Sequence, residues 1–63
     1  MFIRIESYDG KIHYINAARI ERVFRCDEDK TIEFWLSNTY ICFDEPDFEN
    51  AKAAWLEYWK VSP

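Results

Sequence analysis

A chain of 63 residues with a single glycine, two prolines and a net charge of −4 has room for one small core and no linker. The acidic balance excludes the basic footprint that a nucleic-acid binder needs and argues against docking on an anionic membrane surface. No apolar run approaches the roughly 20 residues of a membrane-spanning helix. A chain this short buries only about 60% of its unfolded surface. Its visible compensation is a 19% aromatic content, more than one such core can hide, so part of it is expected at an interface.

The N-terminus has no charged region followed by an apolar core, so no signal peptide is expected. The default location is the cytoplasm, where two cysteines are expected as reduced thiols.

Phe2 to Ser7 alternates: Ile3 and Ile5 point one way, Arg4 and Glu6 the other, which is strand periodicity. Asp9-Gly10 then predicts a two-residue type I′ hairpin turn. That turn places Glu6 opposite His13 and Ile5 opposite Tyr14. Ile3, Ile5, Ile12 and Tyr14 fall on one face, and Arg4, Glu6, Tyr8, Lys11 and His13 on the other. Asn16-Ala17-Ala18-Arg19 breaks the alternation and predicts one helical turn capped by Asn16, with Ile15, Ile20 and Val23 beneath it.

Glu21 to Cys26 and Thr31 to Leu36 read as the third and fourth strands. Tips at Glu28-Asp29 and Asn38-Thr39 pair Cys26 with Thr31, Val23 with Phe34, Leu36 with Ile41 and Phe34 with Phe43. Tyr40 to Phe43 is the fifth strand. The three consecutive acids Asp27, Glu28 and Asp29 suit a solvated turn better than a Ca²⁺ site, which needs six to eight oxygens.

The last stretch, Asp44 to Lys60, reads as one amphipathic helix. Phe48, Ala51, Trp55, Tyr58 and Trp59 share a face at 100° per residue. Asp44 is the expected N-cap, Asp47 completes a weak capping box, and Phe43 with Phe48 forms a hydrophobic staple. Pro46 falls in the first turn, where its missing N–H costs nothing. Glu49–Lys52 and Glu57–Lys60 add helix-surface pairs.

The fold class is therefore α+β: a five-stranded antiparallel β-meander with one C-terminal α-helix packed on one face, in a single domain over residues 1–63. A sheet curled into a small open barrel is the alternative. The expected inner face is Ile3, Ile5, Ile12, Tyr14, Val23, Ile32, Phe34, Leu36, Ile41 and Phe43.

The same register turns Phe24, Trp35 and Cys42 to the face away from the helix, with Arg22 opposite Trp35 as a cation–π pair. An outward sheet face is usually polar, so Phe24, Trp35, Cys42 and Arg22 are the interface candidates. Cross-strand aromatic pairing that merely stabilises the sheet is the competing explanation. The two cysteines fall on strands flanking the fourth, roughly 16 Å apart by strand geometry, beyond the approximately 7 Å limit for a disulfide.

Catalytic chemistry is hard to find. The single histidine, His13, is expected on a polar face beside Glu6, with no Ser or Cys nucleophile next to it. Cys26 and Cys42 lack metal-ligand spacing, and one glycine excludes a Gly-rich phosphate loop. No catalytic residue, cofactor or metal is expected. The primary expectation is a non-enzymatic module that binds a protein partner and self-associates as a homodimer, with no nucleic-acid partner and no membrane insertion. Two alternatives come from other classes. One is a small oligomeric enzyme or ligand carrier with a cleft between subunits lined by Tyr14, His13 or Trp35. The other is an acidic mimic that inhibits a nucleic-acid-binding protein.

The run Tyr8-Asp9-Gly10-Lys11-Ile12-His13-Tyr14-Ile15-Asn16-Ala17-Ala18-Arg19-Ile20-Glu21-Arg22-Val23 resembles the small flagellar accessory proteins of the FlbD/SwrD type. These share a Gly turn, a strand ending in Ile-Asn and an Ile-Glu-x-Ile/Val run in this order. Asp29 to Phe43 looks like their next hairpin, and the C-terminal helix matches in place. This chain differs in that Ser37-Asn38-Thr39 lacks the usual Gly and the helix is Trp-rich. The resemblance implies the same β-meander fold, an accessory role through protein contact, and no catalytic site to carry over.

Overall fold

The computed structural model describes residues 1–61. The elements run β1 (Phe2–Glu6), β2 (Ile12–Asn16), a 3₁₀ turn (Ala17–Arg19), β3 (Ile20–Cys26), β4 (Thr31–Leu36), β5 (Thr39–Phe43) and α1 (Phe48–Val61). The chain is α+β with antiparallel strands, but they form two sheets, β1–β2 and β3–β4–β5. This corrects the single meander and the barrel. The break falls at the 3₁₀ turn, which Asn16 caps by accepting from the Ala18 N–H at 3.1 Å. The Ala17 N–H donates to the Met1 carbonyl at 2.9 Å, which carries the β1–β2 ladder one pair beyond Phe2–Asn16. A bulge between Ile20 and Arg22 then bends the start of β3.

The first hairpin departs from the expected register by one residue. Ile3 pairs with Ile15, Arg4 with Tyr14, Ile5 with His13 and Glu6 with Ile12. The loop is three residues long, not two. The Gly10 N–H donates to the Ser7 carbonyl at 3.0 Å, and the Ser7 N–H donates to the Lys11 carbonyl at 2.8 Å. Gly10 sits at φ 89°, the left-handed position that closes a turn-plus-bulge loop. The slip reverses both faces of β2. Ile15 is buried and His13 half-buried, whereas Ile12 is exposed and Tyr14 is 63% exposed. The expected inward placement of Ile12 and Tyr14 is thereby overturned.

β3 and β4 pair as expected, with Cys26 opposite Thr31 and Val23 opposite Phe34. β4 and β5 are shifted by two residues, so the faces survive. Phe34 pairs with Ile41, Ile32 with Phe43 and Leu36 with Thr39 around a Ser37-Asn38 loop. Ser37 takes φ 36° there, as the first position of a type II′ turn demands.

The helix begins at Phe48, four residues later than expected. Glu45 precedes a proline and is disfavoured in the helical region. Residues 44–47 form a turn instead, closed by the Asp47 N–H on the Asp44 carbonyl at 2.7 Å. Asp47 takes the capping position: its carbonyl accepts the first helical bond from the Ala51 N–H at 3.0 Å. Its carboxylate leaves the helix to accept the Tyr8 N–H at 2.7 Å. The Asn50 side chain donates to the Glu6 carbonyl at 2.9 Å. Two hydrogen bonds thus fasten the helix start to the end of the first hairpin.

Ile3, Ile5, Ile15, Ile32, Phe34, Phe43, Phe48 and Ala51 make the core. Ile20, Val23, Leu36, Ile41, Ala54, Trp55 and Tyr58 pack around it. Trp59, expected on the buried stripe, is 56% exposed. Trp55 takes the place against the sheet, edge-on to Phe34 at 5.8 Å, and Trp59 stands edge-on to Trp55 at 5.4 Å. The Glu49–Lys52 and Glu57–Lys60 pairs form at 3.5 and 3.9 Å, each worth only about 0.2–0.5 kcal/mol.

Of the three described turn residues at positive φ, Gly10, Lys30 and Ser37, the first and last predict opposite effects. A Cβ at Gly10 meets no atom within 4 Å, so Gly10→Ala costs conformational energy alone, about 1 kcal/mol. Ser37→Gly relieves a left-handed serine and raises stability by about 0.5 kcal/mol. Urea unfolding of the two variants checks both signs.

Candidate functional site

The outer face of β3–β4–β5 carries an aromatic ladder across all three strands. Alternation from the pairs Arg22–Trp35, Phe24–Glu33 and Trp35–Tyr40 puts these side chains on the side opposite Phe34. The Arg22 guanidinium lies 4.5 Å from the Phe24 ring centroid and 5.6 Å from that of Trp35. Trp35 stacks on Tyr40 at 4.6 Å with 20° between the planes. The Trp35 indole N–H donates to Glu33 Oε1 at 3.0 Å.

Each member is fixed by a neighbour. The order is Phe24, Arg22, Trp35, Tyr40, with Glu33 holding the indole from the side. Phe24 is 47% and Tyr40 50% exposed. A shallow groove of about 340 Å³ lies beside the ladder, lined by Phe24, Arg25, Cys26, Thr31 and Glu33.

The structure brings three of the four sequence candidates together: Arg22, Phe24 and Trp35. Cys42 shares their face but lies opposite Glu33, not opposite Trp35 as the expected register had it. Tyr40 was missed. The two-residue shift of β5 moves it from beside the turn to directly across from Trp35. A period-two pattern cannot detect such a shift, because it leaves the faces unchanged.

Both cysteines are free. Their cross-strand partners on β4, Thr31 and Glu33, are two residues apart. Their Cα atoms are therefore roughly 12 Å apart across the sheet, still outside disulfide reach. Partial burial pushes the Cys42 thiol pKa up, and the carboxylates of Glu33 and Asp44 add to the rise.

His13 is not beside Glu6. The hairpin register turns it inward, where its Nε2 lies 2.8 Å from the Ser7 hydroxyl and its ring stands edge-on to Phe43 at 5.2 Å. A serine hydroxyl bonded to an imidazole is the first contact of a nucleophile–base pair. Here Ser7 is only 9% exposed, and no side-chain hydrogen bond joins a third residue to the ring among the described residues. The pair satisfies two polar groups at the edge of the core.

Among the described residues, no group of three or more His, Cys, Asp or Glu side chains is placed to hold a metal ion. No helix there is long and apolar enough to cross a membrane. The acids of the β3–β4 turn are interleaved with bases: Asp27 pairs with Arg25 at 3.2 Å, and Lys30 reaches Glu49 at 3.9 Å. No protein-family model matches the chain, and no curated protein or solved structure matches it either.

The raised Cys42 pKa predicts slow chemistry at an exposed thiol. The thiolate is the nucleophile, so a raised pKa leaves less of it near neutral pH. Iodoacetamide should modify Cys42 more slowly than a free cysteine peptide at pH 8. Glu33→Gln should shift the pH–rate curve toward lower pH. A mass-resolved alkylation time course checks both.

Proposed function

We propose that this chain is a non-enzymatic protein-interaction module that acts in the cytoplasm and presents the outer face of β3–β4–β5 to a protein partner. The observation that carries this is the Phe24–Arg22–Trp35–Tyr40 ladder, half exposed on the face away from the helix. Aromatic residues and Arg are the types that dominate binding energy at protein interfaces. Stacking already restrains these side chains, so binding them costs less entropy than ordering free ones.

The net charge of −4 favours a partner surface with basic residues around an apolar centre. Self-association as a dimer belongs to the same proposal, given how much aromatic surface a core this small leaves uncovered. The resemblance to FlbD/SwrD-type proteins points to an accessory role in a flagellar system, carried out through such contacts.

The proposal predicts that a partner retained by the wild-type chain in a cross-linked pull-down is lost from Trp35→Asp and Tyr40→Ser, with circular dichroism unchanged. A partner held equally by all three chains would place the binding surface elsewhere.

A further inference from the structure

We propose that two copies of this chain pair through the open edge of β5, antiparallel and centred on Ile41, into one six-stranded sheet. This deepens the self-association just proposed and rests on it, naming the edge, the register and the second copy as occupant.

β5 has one neighbour, β4. Among the described residues, no backbone hydrogen bond outside the strand ladders and the helix reaches Thr39–Phe43. An open edge is normally protected by charge, proline, a bulge or a cover. β3 carries Glu21, Arg22 and Arg25 and a bulge after Ile20. β1 carries Arg4 and Glu6, and a groove of about 370 Å³ beside it is lined from the helix by Ala54, Glu57 and Tyr58. β2 carries no Asp, Glu, Lys or Arg, but it belongs to the two-stranded sheet and not to the one that bears the aromatic ladder. β5 reads Thr-Tyr-Ile-Cys-Phe, with no Asp, Glu, Lys, Arg or Pro. It is rich in the β-branched and aromatic types that pair well, and it carries the end of the ladder at Tyr40.

The loop fixes which groups are free. With Leu36–Thr39 closing a two-residue loop, the N–H and C=O groups of Thr39, Ile41 and Phe43 face β4. Those of Tyr40 and Cys42 face the open edge. Antiparallel pairing about Ile41 sets Tyr40 against the partner's Cys42 and Cys42 against the partner's Tyr40, which uses all four free groups in each copy's edge. Charge selects the orientation. The acids Asp44 and Glu45 follow one end of β5, and the neutral Ser37-Asn38 loop precedes the other. Antiparallel pairing brings Asp44 opposite the partner's Asn38, whereas parallel pairing would bring like charges together. Two ladders then lie side by side on one outer face, with Tyr40 of each copy nearest the junction.

Cysteine cross-linking tests the register in a Cys26→Ser background, where Cys42 is the one thiol. In that parent the two Cys42 positions are diagonal, about 8 Å apart by strand geometry, and mild oxidation should leave it uncross-linked. Adding Tyr40→Cys sets a thiol directly opposite the partner's Cys42 at about 5.5 Å. Covalent dimer should then form about tenfold faster or more. Equal cross-linking of parent and variant would overturn the proposed register.

Sedimentation tests the edge. Cys42→Pro removes an outward N–H and should give monomer, while Trp35→Asp should still dimerise. Because each copy carries −4, added salt should strengthen the dimer. Dimerisation lost in Trp35→Asp and kept in Cys42→Pro would overturn the edge and leave a face-to-face dimer. Should Cys42→Pro unfold by circular dichroism, the cross-linking comparison decides alone. A monomer at all concentrations that never cross-links would overturn the pairing, and the pull-down would still judge the outer face separately.

Discussion

The register of the first hairpin is the constraint on which the rest of this structure depends. Gly10, at φ 89°, allows a three-residue loop where a two-residue loop would reverse every side chain of β2. With this loop, Ile15 joins Ile3 and Ile5 in the core, and His13 meets Ser7 and Phe43. Asp47 then finds the Tyr8 N–H, and Asn50 finds the Glu6 carbonyl. The helix is thereby held where Phe48 and Ala51 close the core. In the other register Ser7 and His13 would lose each other, and Ile15 would face solvent while Tyr14 turned inward.

The second sheet is organised around a different balance. Its inner face is continuous and apolar, with Ile32 and Phe34 fully buried. Its outer face is neither bare nor polar, because Arg22, Phe24, Trp35 and Tyr40 restrain one another. Such a surface is already ordered before any partner arrives, which lowers the entropic cost of binding. The open edge of β5 adjoins it. Face and edge thus lie together on the three-stranded sheet, whereas β1 and β3 carry charged side chains.

Much of this was legible in the chain. Alternation in Thr31–Leu36, the acidic turn before it and the Asn-Ala-Ala-Arg break located β4, its pairing with β3 and the 3₁₀ turn. They also placed Arg22, Phe24 and Trp35 on one outer face. Loop length was not legible: Asp9-Gly10 suits two-residue and three-residue loops alike, and only tertiary contacts such as Asp47 to the Tyr8 N–H favour one. Tyr40 was hidden because a shift of two residues preserves the faces. Pro46 carried a usable signal that the helix begins after it, through its restriction of Glu45. Trp59 shows the limit of an arc on a helical wheel: a short helix on a small core buries Phe48, Ala51 and parts of Trp55 and Tyr58, and leaves Trp59 in solvent.

The most direct test of this account is the backbone pairing of the first hairpin, measured by cross-strand nuclear Overhauser effects on labelled protein. The three-residue loop requires contacts linking Ile5 with His13 and Ile3 with Ile15. Contacts linking Ile5 with Tyr14 and Glu6 with His13 would instead establish the two-residue turn. They would turn Tyr14 into the core and contradict the arrangement of core, helix clamp and Ser7–His13 pair described above.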